Sequence, residues 1–133
     1  MIKSKSPITG ECFCGEVKYE LRGDLMDARS CHCSRCRKAF SGQASAMALV
    51  NPEDFRWIAG ETRLQSYVGK HGFGLQFCSQ CGSTISTVYQ DKIYGVSLGC
   101  LNGNPDIQIA KFDLEKSEKE LAISESDLKP TAS

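Results

Sequence analysis

The chain has 133 residues, 41% of them hydrophobic and 24% charged, which suits one domain with a real core. Sixteen Lys and Arg balance sixteen Asp and Glu, so the formal net charge is zero. That balance argues against a protein held to nucleic acid or a membrane surface by bulk charge, and neither partner is expected. In chain order, residues 1–9 read as a flexible terminus. Val17-Lys18-Tyr19-Glu20-Leu21 alternates apolar and polar, as a half-buried strand does, and Gly23-Asp24 ends it. Ala44 to Val50 is an apolar run closed by Asn51-Pro52, and Phe55 to Ile58 is another, closed by Gly60. Leu64 to Val68 alternates again. Gly69 to Gly74 has the composition of a loop. Leu75 to Phe77, Thr84 to Tyr89, Ile93 to Leu98 and Ile107 to Phe112 continue the series. Only Leu114 to Leu121 shows even a weak helical period, and its charges read as a solvated face. Short strands about ten residues apart predict a mainly β, single-domain fold over residues 10–128, with a frayed end at 129–133.

Eight cysteines in so short a chain pose a choice between disulfides and metal. Residues 1–10 hold no apolar run of signal-peptide length, and no run of about 18 apolar residues occurs anywhere. A cytoplasmic location is therefore expected, and there thiols bind metal more often than they pair.

Seven of the cysteines form three groups: Cys12/Cys14, Cys31/Cys33/Cys36 and Cys78/Cys81. Zinc–sulfur bonds of about 2.3 Å in a tetrahedron place sulfurs about 3.8 Å apart, and one- or two-residue spacers on tight turns allow this. Gly15 and Gly82, each directly after the second cysteine of its pair, suit turns that need positive φ. Joining the two outer pairs gives a closed four-thiolate site and leaves the middle triad as an open three-thiolate site. A rival division joins part of the triad to Cys78/Cys81 as a zinc ribbon, which strands the remaining thiols.

The succession of Cys12 to Val17, Cys31 to Lys38, Pro52 to Gly60 and Phe77 to Gly82 resembles the glutathione-dependent formaldehyde-activating enzyme family, whose domain also occurs in centromere protein V. The resemblance implies a zinc-binding β-tent fold of short antiparallel strands and two Zn2+ per chain. A structural ion would sit on Cys12, Cys14, Cys78 and Cys81, and a catalytic ion on Cys31, Cys33 and Cys36. It also implies a carbon–sulfur lyase that forms or cleaves a thiol–aldehyde adduct such as S-hydroxymethylglutathione, with glutathione as co-substrate. Two departures bear on the substrate rather than on the ligands. Leu75-Gln76 stands where the family often carries an arginine before Phe-Cys, and Lys119-Glu120-Leu121 stands in place of Ala-Pro-Trp.

Arg29, Arg35, Arg37 and Lys38 cluster near the triad and could receive the carboxylates of a thiol substrate, or could merely offset thiolate charge. His32, between two ligands, reads as a group beside the metal or substrate, or as a satisfied structural histidine, rather than as a ligand, because neighbouring side chains on extended backbone point apart. His71 reads as an ordinary surface histidine, with a mobile acid or base as the alternative. Cys100 reads as a buried, inert thiol. Trp57, Phe55, Tyr67, Phe77 and Tyr94 read as core packing. The competing function is a non-catalytic zinc module that captures a thiol or docks a partner. DNA association, as for centromere protein V, is disfavoured by the neutral charge. The sequence leaves the oligomeric state open.

Overall fold

The computed structural model describes residues 6–70, 72–103 and 109–112. Among these, ten strands and one short helix form two sheets. The small sheet is antiparallel, in the order β1 (Ile8–Glu11), β2 (Lys18–Leu21), β5 (Phe55–Ala59). The large sheet runs β10 (Ala110–Phe112), β3 (Met26–Cys31), β4 (Ser45–Leu49), β9 (Lys92–Ser97), β8 (Thr84–Tyr89), β7 (Phe73–Cys78), β6 (Leu64–Val68). Every neighbouring pair is antiparallel except β10 with β3. The mainly β expectation therefore holds. No helix among the described residues is long and apolar enough to cross a membrane.

The core lies between the sheets. Val17, Tyr19 and Leu21 come from the small sheet and its approach, and Val50, Ile85 and Val96 from the large one. Tyr19, Phe55 and Trp57 stack edge-on and tilted, with centroids 4.8–6.1 Å apart. Tyr19 lies across Gly10, its partner in the β1–β2 ladder, and a Cβ there would overlap the ring. Cys12 and Cys78 belong to the same buried cluster, so one thiol group is part of the core itself.

Three features depart from the sequence reading. β1 begins at Ile8, so Ile8 and Thr9 belong to a sheet rather than to a loose terminus. Tyr67 is 66% exposed on β6, the edge strand, and Tyr94 is 40% exposed beside Phe73 and Tyr89, so neither is core. A helix, α1, occupies Ser34–Phe40 directly after Cys33. His71, the segment 114–121 and residues 129–133, expected to fray, lie outside the described residues.

Candidate metal centres

The four-thiol group joins both sheets. Cys12 and Cys14 follow β1, whereas Cys78 closes β7 and Cys81 sits in the turn to β8. Cys14 is 64 positions from Cys78 and 67 from Cys81 in the chain. The four sulfurs lie within 4.8 Å of one another, with Cys12–Cys14 at 3.6 Å and Cys14–Cys78 at 3.9 Å. Those separations match the tetrahedral edge of about 3.8 Å for zinc–thiolate bonds. Gly15 and Gly82 take φ of +83° and +80°, the left-handed conformation that the sequence reading required of them. Their amides close the turns onto the Cys12 and Cys78 carbonyls.

Backbone N–H groups point at the sulfurs. Val17 donates to Cys12, Gln80 to Cys78 and Cys14 to Cys81, at 3.3–3.4 Å. Such donors favour thiolate over thiol. Burial acts against Cys81, but the amides of Ser83 and Cys14 outweigh it and bring that thiol down to about 6. The donor set fits a closed structural ion.

The triad is local. Cys31 ends β3, Cys33 caps α1, and Cys36 stands in the first turn of that helix. Cys33 has extended φ and ψ of −69° and 160°, and its sulfur accepts from the Cys36 amide at 3.4 Å, the role usually given to a Ser or Asp side chain. The helix ends at Ser41, whose φ of 54° and amide bonds back to the last turn make a left-handed stop. These caps hold three sulfurs within 4.8 Å of one another. No fourth His, Cys, Asp or Glu ligand atom joins them among the described residues. Burial opposes ionisation of Cys33, yet the Cys36 amide and the neighbouring thiols lower its pKa. Burial, with Cys31 and Cys33 adding to it, pushes Cys36 up to about 12 despite the nearby Ser45 hydroxyl. The donor set fits a metal that keeps one tetrahedral position for a ligand from outside the protein.

The remaining candidates sort by contact. His32 turns its Nε2 toward Ser30 Oγ at 3.1 Å and lies outside the sulfur group. Arg37 Nε donates to the His32 carbonyl at 3.1 Å, and both Arg37 and Lys38 are exposed. Arg29 is ion-paired with Asp27 at 2.9 Å, which offsets its charge toward an incoming anion. Arg35 is half-buried on α1. Cys100 is half-buried rather than buried. Its sulfur meets Ser83 Oγ at 3.4 Å and the Thr84 carbonyl at 3.5 Å, and burial raises its pKa. A cleft of about 670 Å³ lies between the end of α1 and the four-thiol group, lined by Cys12, Phe13, Phe40, Ala46, Thr84 and Cys100. No triad cysteine lines it. Sequence reasoning passed over Ser45, a polar residue inside the apolar run 44–50. It is 1% exposed and faces Cys31 across the β3–β4 ladder.

A family model described as "Glutathione-dependent formaldehyde-activating enzyme" matches residues 7–113. The chain belongs to that family. The match starts within the terminus read as flexible and stops short of the boundary expected near residue 128. Among solved structures, the chain is similar to a Rhodobacter sphaeroides protein determined by structural genomics. The two share 29% identity with a TM-score of 0.58, and the alignment covers 77% of this chain and 98% of that one. No curated protein matches. Membership in the glutathione-dependent formaldehyde-activating family is consistent with two cysteine groups able to hold zinc.

Proposed function

We propose that this protein is a zinc-dependent carbon–sulfur lyase that joins a small thiol to a small aldehyde, or reverses that addition, at Cys31, Cys33 and Cys36. The supporting observation is the three-sulfur group with no fourth ligand of those residue types among the described residues. Family membership supports glutathione and formaldehyde as the thiol and aldehyde. The Cys12/Cys14/Cys78/Cys81 ion is structural in this reading, because its four donors saturate it and join both sheets.

When bound, zinc held by three thiolates is a modest Lewis acid that favours an incoming thiol in its thiolate form at neutral pH. The protein's own groups do the rest. The caps of α1 fix the sulfur positions before any substrate arrives. Arg37 and Lys38, exposed one turn further along α1, attract the carboxylates of a thiol such as glutathione. In the addition the thiol sulfur forms a bond to the aldehyde carbon. The C=O π pair moves to oxygen, and the proton lost by the thiol is made up on that oxygen.

The test is exchange of glutathione and formaldehyde with their adduct, followed by NMR against the uncatalysed rate. Acceleration that vanishes in Cys36→Ser supports the reading, and a rate equal to background contradicts it. One observation favours a second reading, a thiol- or partner-binding module without catalysis: no triad cysteine lines the 670 Å³ cleft. That reading expects thiol binding with no rate enhancement.

A further inference from the structure

Ser45 carries a feature that the triad alone does not explain. It opens β4 and pairs with Cys31, so the two side chains stand on one face of the ladder. It is 1% exposed, and its Oγ has no hydrogen-bond partner. A buried hydroxyl left without a partner is costly, and such groups are uncommon unless a ligand, ion or catalytic step uses them. Ser45 therefore stands beside Cys31, one of the three clustered sulfurs, with one O–H to give.

We propose that the Ser45 hydroxyl is the donor to the sulfur of the thiol substrate when that sulfur completes the coordination at Cys31, Cys33 and Cys36. The inference rests on the open-site reading above and specifies how the fourth ligand is chosen. A thiolate accepts one charge-assisted hydrogen bond from Ser45 as its proton leaves to solvent. The bond rewards an anionic acceptor and adds nothing for a ligand without a lone pair facing β4. Ser45 thus selects for thiolate over a neutral occupant of the same position.

The test uses the full chain loaded with Co2+, titrated with glutathione, and follows the sulfur-to-cobalt charge-transfer band. Ser45→Ala and Ser45→Thr are compared with the wild type. Ser45→Ala is expected to keep its melting temperature, both metals and its chelator resistance, but to lose thiol affinity by about ten- to a hundredfold, the worth of a hydrogen bond to a charged group. Ser45→Thr keeps the hydroxyl and is expected to recover most of that loss. Thiol affinity in Ser45→Ala within about twofold of wild type would overturn the assignment. So would a loss of triad metal together with thiol affinity, since the hydroxyl would then serve the metal ligands rather than the incoming sulfur. A wild-type triad that takes no metal, or whose band ignores glutathione, overturns the open-site reading and this inference with it.

Discussion

The two thiol groups use the same chemistry and do different mechanical work. The four-thiol group pins the end of β1 to the β7–β8 turn, with Cys14 64 positions from Cys78 and 67 from Cys81, and its Cys12 and Cys78 are core residues. The triad spans only Cys31 to Cys36 and is built by one strand end and one helix cap. Closing a long loop removes much more chain entropy than closing a short one. A metal bound at the first group would therefore contribute to folding, whereas one bound at the second would leave the fold nearly as it was. A protein can give up a ligand at the second site without losing its structure, which is the condition for an exchangeable position.

The largest expected effect comes from the first group. Cys78→Ser removes a fully buried ligand. Structural zinc contributes apparent binding energies of about 10–16 kcal/mol, comparable with the whole stability of a small domain. Circular dichroism should show a chain that no longer unfolds cooperatively. A variant that still melts cooperatively with both metals would remove the distinction between the sites.

Cys36→Ser should have the opposite profile. Metal analysis is expected to fall from two ions per chain to one, adduct exchange to the uncatalysed rate, and the melting temperature by only a few degrees, about 1 kcal/mol for a domain of this size.

Acidification should sharpen the contrast. Each group holds a thiol for which protons compete: burial pushes Cys36 up to about 12, and, despite the Glu16 amide, burial and the neighbouring thiols push Cys14 up to about 11. A raised pKa means that the thiol regains its proton at higher pH, so protons compete at both groups, and the triad, with three donors instead of four, should release zinc first as pH falls from 8. Its midpoint should lie above that of the four-thiol site, as read with a chromogenic zinc indicator. Simultaneous release would count against two unlike sites.

Arg37→Ala should weaken glutathione binding only a few-fold, because an exposed charge is worth about 0–1 kcal/mol. Cys100→Ser should change least. Its half-buried sulfur already sits between a hydroxyl and a carbonyl that serine can also meet, so metal content should be unchanged and stability should move by under about 1 kcal/mol.

Much of this was legible in the sequence because the sulfur spacing is local. Cys-x-Cys-Gly and Cys-x-x-Cys-Gly announce turns, and the positive φ at Gly15 and Gly82 follows from the same requirement. Strands with clean alternation, such as Leu64–Val68, were equally readable. α1 was not, because seven residues give too few turns for a periodic signal and its cap is a cysteine rather than Ser, Asp or Asn. β3 was hidden by its polar residues Asp27, Arg29 and Ser30 and by an irregular register between Met26 and Arg29. Tyr67 misled because alternation shows that a strand has two faces and not which strand ends a sheet. The parallel pairing of β10 with β3, and the place of Ser45 beside Cys31, depend on contacts that no local window contains.

Zinc K-edge X-ray absorption on protein carrying two ions per chain, recorded before and after glutathione, tests the division of donors most directly. Four sulfurs at one site and three at the other average about 3.5 per zinc, and a thiol entering the open position should raise the average to about 4. An average of 4 before glutathione is added, or no change after it, would contradict an exchangeable position at Cys31, Cys33 and Cys36.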